Sequence, residues 1–303
     1  ALNIGLDDDL VGDFNGVKAV NREEACLYAL NTLTATMVEY EKNSTVTVGN
    51  ITIKDQSSAK DMANTGKTDG KIFKADGKMQ FAEKYFDNLS VTKGSDDFAR
   101  PANVWKLKAE KIGTYADTAD LTYTKSVDVC DIYKDLGLGS KIEKKDVSVY
   151  VDGVVDPENK IVPVAITKDN DDDSYGANGV LTEVFYDDGD NSVIITMVNT
   201  YVGQISKSVA ATSKKDAYVV IDTLGAGPVG GTLEFETEAK IDDDTYVLYT
   251  YAKGDADAVK SVAVAESVSG TVTKVVNNAA DDDNKKLTVA GTEYKMSANS
   301  HVD

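Results

Sequence analysis

Val180-Leu181-Thr182-Glu183-Val184-Phe185-Tyr186, then Asp187-Asp188-Gly189-Asp190, then Ser192-Val193-Ile194-Ile195-Thr196-Met197-Val198-Asn199-Thr200-Tyr201, is the stretch that decides the fold class. Both flanking runs are rich in β-branched and aromatic residues. The segment between them carries turn chemistry, so the whole reads as a β-hairpin with one buried face and its acids in the turn. Two further pairs read the same way. Val147–Val151 turns at Asp152-Gly153, and Leu233–Glu236 is set against Tyr246–Tyr251 across the loop containing Asp242-Asp243-Asp244. From Val147 onward the expectation is almost entirely β.

Upstream the period changes. Over residues 20–42, Cys26, Leu27, Leu30, Leu33, Met37 and Val38 recur at three- and four-residue spacing, which predicts an amphipathic helix stopping near Asn43-Ser44. Asn21 with Glu24 has capping-box spacing, and Glu23 and Glu24 favour the positive end of the helix dipole. Thr45–Val48 and Ile51–Ile53 flank Gly49-Asn50, a two-residue hairpin turn. A polar loop is expected from about Gln56 to Gly77. Short helices are expected at Phe81–Phe86 and at Val129–Leu136, the second closed by Gly137 as a C-cap. Residues 201–207 and 268–274 resemble each other and each precedes another strand, consistent with two small antiparallel modules of related design.

Composition excludes whole classes of partner. With 32 Lys and Arg against 51 Asp and Glu the net charge is −19. Nucleic acid and anionic membranes are therefore not the partners, since both depend on clustered cationic side chains. At 42% hydrophobic residues the chain has enough apolar matter for a core. Asp outnumbers Glu, 37 to 14, and Asp favours turns and caps over helix interiors. No apolar run reaches membrane-spanning length. Cys26 and Cys130 form no metal or redox spacing; an exported chain could join them in one disulfide, but the expected role of each is that of an unpaired small core hydrophobe. Ala1 begins within what reads as a folded unit, as in a mature, trimmed or partial chain.

The chemical motifs are sparse. The one histidine, His301, lies outside any strand pattern, leaving a triad or a His-based zinc site without its base or ligands. Gly225–Gly231 is glycine-rich, but Pro228 and the strand after it mark a crossing loop and not a phosphate cradle. Acids are plentiful enough for a glycoside-hydrolase pair, yet nothing selects one, and the expectation is a protein that is not an enzyme. Calcium is the better chemical candidate. Asp169, Asp171 and Asp173 alternate like the first three ligands of a calcium loop, although Ser174 and Val180 stand where its Gly and bidentate Glu belong. Asp7-Asp8-Asp9, Asp187-Asp188-Asp190, Asp242-Asp243-Asp244 and Asp281-Asp282-Asp283 are acidic knots that read as solvated loops.

Asn21-Arg22-Glu23-Glu24-Ala25-Cys26-Leu27-Tyr28-Ala29-Leu30-Asn31-Thr32-Leu33 resembles the Thr-Arg-x-Glu-x-Ala helix that ends a surface-layer homology (SLH) repeat, with Asn21 in place of the usual Thr. Ala1–Leu10 is similar to the tail of the preceding helix, with its turn at Gly5-Leu6. Asp96–Trp105, Gly113–Ala116, Asp131–Gly137, Val198–Tyr201 and Tyr246–Tyr251 are similar to stretches that follow SLH repeats in large surface proteins of anaerobic Gram-positive bacteria. The resemblance implies an extracellular, cell-wall setting. It also implies that Arg22 matches the position that helps bind pyruvylated wall polysaccharide, although less than one repeat is present.

The expectation is therefore a mainly β protein with a minor α part, an SLH-like helical remnant followed by two or three antiparallel β modules. Its divisions fall at 1–43, 44–145, 146–215 and 216–303. Its expected work is structural: self-association into a surface layer or filament, anchored through SLH repeats, with Ca²⁺ or basic patches such as Lys141–Lys145 at the contacts. An adhesin presenting Trp105 and the strand Tyr246–Tyr251 is the second reading, and a carboxylate-dependent glycosidase the third.

Overall fold

The computed structural model describes residues 5–299 apart from 9, 11, 13, 41–44, 55–58, 74, 156–160, 226, 256–257 and 277–284. The expected helix stop at Asn43-Ser44, the knot Asp281-Asp282-Asp283 and His301 lie outside the described residues, as do parts of Ala1–Leu10. The chain is mainly β with short helices, as its sequence pattern dictates. It divides into two compact units, Ala1–Gly94 with Ala102–Tyr115, and Ser95–Pro101 with Ala116–Asp303. β1 (Val38–Tyr40) pairs with β4 (Ala59–Asp61) across residue 43, β8 (Leu121–Tyr123) with β12 (Val180–Asp187) across 145, and β13 (Ser192–Val209) with β14 (Tyr218–Thr223) across 215.

The first unit holds α1 (Arg22–Thr34), β1 (Val38–Tyr40), β2 (Thr45–Val48), β3 (Ile51–Lys54), β4 (Ala59–Asp61), α2 (Phe81–Tyr85), β5 (Leu89–Ser95), β6 (Pro101–Leu107) and β7 (Glu110–Ala116). Helix α1 is shorter than its periodicity suggests. Its capping box forms, with Glu24 N donating to Asn21 Oδ1 at 2.8 Å and Asn21 N donating to Glu24 Oε2 at 3.0 Å. Its last turn carries Thr32 and Thr34, β-branched residues whose hydroxyls donate to the carbonyls of Tyr28 and Asn31 and compete with continuation of the helix. Met37 and Val38 leave the helix; the chain becomes extended, and β1 pairs antiparallel with β4 inside the expected loop. None of the helix residues is buried. β2 and β3 form the expected hairpin at Gly49-Asn50, with Val48 opposite Ile51. Ile72, Ala82, Leu89, Val91 and Trp105 make this unit's core, and Phe73 packs edge-on against Trp105. β5, β6 and β7 form a three-stranded sheet with β7 on its edge.

The second unit holds β8 (Leu121–Tyr123), β9 (Val127–Asp128), α3 (Val129–Asp135), β10 (Val147–Val151), β11 (Ser174–Tyr175), β12 (Val180–Asp187), β13 (Ser192–Val209), β14 (Tyr218–Thr223), β15 (Thr232–Glu236), β16 (Tyr246–Tyr251), β17 (Val259–Val264), β18 (Val272–Val276), β19 (Lys286–Val289) and β20 (Thr292–Lys295). β13, 18 residues long, is its axis. The first half of β13 lies between β12 and β10, and the second half between β14 and β16. A module boundary at 215/216 would therefore divide strands that share β13.

One expected hairpin is correct: β12 and β13 pair antiparallel, with Asp187 opposite Ser192. The other two are not hairpins. β10 runs parallel to β13, with Val147 opposite Val193, so Asp152-Gly153 turns the chain without returning a neighbouring strand. β15 pairs with β14, and β16 crosses to the other side of β13. Local alternation finds strands but is blind to which partner a strand takes, since partner choice depends on long-range packing. β17 pairs with β16, and β15 and β17 approach each other, which curls this half into a partly open five-stranded barrel. Ile205, Val219, Ile221, Val247 and Tyr249 fill it. Under the other half, Val129 and Ile132 of α3 pack with Val147, Val149, Val193 and Ile195. Gly137 caps α3 at φ +63, as expected. β18, β19 and β20 form a separate small sheet. Both members of the weak internal repeat therefore lie near strands that pair with the next strand, but in sheets of different build.

Candidate functional site

Arg22 is the first residue of α1 and is exposed. Glu24 at the helix start is occupied by the capping box and by Lys18, whose Nζ lies 2.7 Å from Glu24 Oε1. That pairing holds the Glu24 carboxyl below, and the Lys18 ammonium above, their ordinary ranges, mainly through the side-chain hydrogen bond. Asn31 reaches back from the same helix and donates to the carbonyls of Leu6 and Asp8, fixing the preceding turn.

Asp169, Asp171 and Asp173 all lie on the surface. What the loop visibly does is cap α3 with its backbone: Val129 N donates to Asp173 O at 2.9 Å and Cys130 N to Asn170 O at 2.8 Å. Asn170 Oδ1 accepts from Asp173 N and closes the loop on itself. Among the described residues no group of three or more acidic, histidine or cysteine side chains is arranged to hold a metal. Among the described acidic knots, Asp187 acts as a turn residue and Asp243 ties its loop to β13. Asp187 Oδ1 accepts from Gly189 N and Asp190 N, and Asp243 Oδ1 accepts from Ser208 N.

The other sequence candidates are distributed differently from expectation. Lys141 pairs with Glu143 at 2.9 Å and Lys145 with Asp146 at 2.7 Å, so two cations of that patch are neutralised locally. Trp105 is buried in the core and Tyr249 in the barrel, which removes both from any contact surface; of the strand's tyrosines Tyr246 is the exposed one. Cys26 and Cys130 are both free thiols.

The best-organised polar centre is one that pattern reading misses, because Asp-Gly after a strand signals a solvated turn. Asp152 is fully buried, at φ +51. Its carboxylate accepts from Asn199 N at 2.8 Å, Asn199 Nδ2 at 3.0 Å and the Tyr201 hydroxyl at 2.6 Å. Lys253 Nζ stands 3.2 Å away, and Lys253 N donates to the Asp152 carbonyl. Asn299 Nδ2 extends the network to Asn199 Oδ1. Burial and the Asp152 charge push the Tyr201 hydroxyl well above the usual phenol range, so it remains a donor. This carboxylate sits where β13 exchanges the partners β10 and β12 for β14 and β16. A carboxylate with every donor in place is a fastener between strands, not a base waiting for a substrate.

Among the described residues no helix is long and apolar enough to cross a membrane. Comparison with known proteins adds no relative: no family model, curated protein or solved structure matches the chain.

Proposed function

We propose that this chain is a structural component of a cell envelope, which self-associates into a surface layer or filament and is anchored through SLH repeats to wall polysaccharide. The observation that carries the self-association is β7. It is a sheet-edge strand, with Ile112 56% and Tyr115 63% exposed, and it follows an exposed Leu107. Monomeric proteins usually protect such an edge, because it templates pairing with another chain. The SLH-like segment supports the anchoring: its capping box is formed, and Arg22, the first residue of the helix, is exposed. Divalent cations, Ca²⁺ first, are proposed to screen the acidic turns of neighbouring copies.

Electron microscopy of the purified chain, with Ca²⁺ and with EDTA, tests this reading. Sheets or filaments are expected, more extensive with Ca²⁺; dispersed monomers at every concentration under both conditions would refute it. Co-sedimentation of the SLH-bearing parent chain with purified wall polysaccharide, set against its Arg22→Ala variant, tests the anchor.

A further inference from the structure

On a chain of net charge −19, residues 106–112 read Lys106-Leu107-Lys108-Ala109-Glu110-Lys111-Ile112, three cations to one anion, interleaved with exposed apolar side chains. They form the tip of the β6–β7 hairpin. Lys108 and Ala109 turn it, at φ 52 and 71, and Lys108 N is tied to the Asn88 carbonyl at 2.9 Å. The tip is therefore held against the chain segment that leads into β5. Lys106, Lys108 and Lys111 form no ion pair among the described residues, unlike Lys141 and Lys145.

A matching concavity lies in the second unit, at the β14 entry end of the barrel. It encloses about 710 Å³. The half-buried Val209, Ala217 and Tyr218 line it with Ala210, and the exposed Glu238, Lys240, Asp242 and Asp243 form its rim. Lys240 Nζ lies 3.5 Å from Asp242, so one rim charge is balanced and the rim stays net acidic.

We infer that the hairpin tip of one copy docks in this acid-rimmed pocket of a second copy, Leu107 and Ile112 covering its apolar lining residues while Lys108 and Lys111 meet Glu238 and Asp242. The inference rests on the self-associating reading above and names its contact. The two surfaces differ, so the contact is heterologous, and a heterologous contact repeats into a ring or an open filament and does not stop at a symmetric pair. Charge complementarity favours this partner: an acidic chain repels its copies, and a basic hairpin tip meeting an acidic rim offsets that repulsion.

Charge reversal on each side tests the contact. One variant carries Lys108→Glu and Lys111→Glu, the other Glu238→Lys and Asp242→Lys; all four side chains are exposed, and thermal melts matching the parent show that each variant folds. In sedimentation velocity at low salt the parent chain is expected to assemble and each variant alone to stay monomeric. An equimolar mixture of the two variants is expected to assemble again, because each then offers the charge the other lacks. Variants that assemble like the parent, or a mixture that fails to recover, would overturn this contact while the self-associating reading stands. A parent chain that never assembles would instead sink that reading itself.

Discussion

The Tyr201 hydroxyl donates to Asp152 Oδ2 at 2.6 Å, between two buried side chains 49 residues apart. That bond, with the two from Asn199, joins the turn after β10 to the point where β13 changes neighbours. Removing the carboxylate strands an amide, a hydroxyl and a backbone N–H in the interior, and leaves Lys253 without its partner. Asp152→Ala is expected to cost about 3–5 kcal/mol, in the range found when one partner of a buried charged network is deleted. Tyr201→Phe removes one donor only and should cost about 1–3 kcal/mol. Urea unfolding of both variants checks the order. A loss for Asp152→Ala no larger than for Tyr201→Phe would contradict the role assigned to this carboxylate.

Gly153 follows Asp152 at φ +85, and a Cβ there would strike the carbonyl oxygen of Asp97. Gly49 also has positive φ, +63, but a Cβ on it would meet open space. The two positions thus separate steric collision from conformational cost. Gly49→Ala should lose about 1 kcal/mol from left-handed backbone alone. Gly153→Ala must also move backbone against backbone and should lose clearly more. Equal melting-temperature shifts for the two would refute the collision.

The strands, the β12–β13 turn, the capping box and the Gly137 cap were legible because each is written in residues close in sequence. What failed was non-local. Nothing near Val147–Val151 announces a parallel partner at Val193–Met197, and nothing at Asp152 announces that donors from Asn199 and Tyr201 will bury it. The β6–β7 turn escaped for another reason: Lys108 and Ala109 hold positive φ without the Asn or Gly that usually marks such a turn. The helix over 20–42 was overread because apolar periodicity continued past Thr34, where Thr36, Val38 and Tyr40 favour extended chain.

Asp169, Asp171 and Asp173 separate two roles for one loop. Its cap on α3 runs through the carbonyls of Asp173 and Asn170, which survive replacement of the three carboxylates. Asp169→Asn, Asp171→Asn and Asp173→Asn combined should therefore leave the melting temperature in EDTA nearly unchanged, each within about 0.5 kcal/mol. If this loop is where Ca²⁺ acts, the parent chain melts higher in Ca²⁺ than in EDTA and the triple variant does not. Identical Ca²⁺ shifts in both would remove these three residues from the calcium proposal.

Alkaline stability is set by buried phenols. Burial pushes Tyr175 up to about 12, where the Val164 N–H donating to its oxygen partly opposes the shift, and Tyr249 up to about 12; burial and Asp152 push Tyr201 higher still. Their folded values lie above the unfolded value of 10.0, so between the two the native state keeps protons that the unfolded chain releases. Their contribution is complete below about pH 10 and is lost as pH rises through the folded values, by roughly 1.4 kcal/mol per pH unit for each such tyrosine. Unfolding free energy measured by urea titration should thus be flat from pH 8 to 9.5 as far as these groups are concerned, and fall steeply above about 10. Tyr249→Phe isolates one of them. The Tyr249 hydroxyl is buried without a hydrogen-bond partner among the described residues, so its removal should cost little at neutral pH and make the alkaline fall shallower. A variant that loses stability with the parent's slope above pH 10 would show that Tyr249 does not titrate with unfolding.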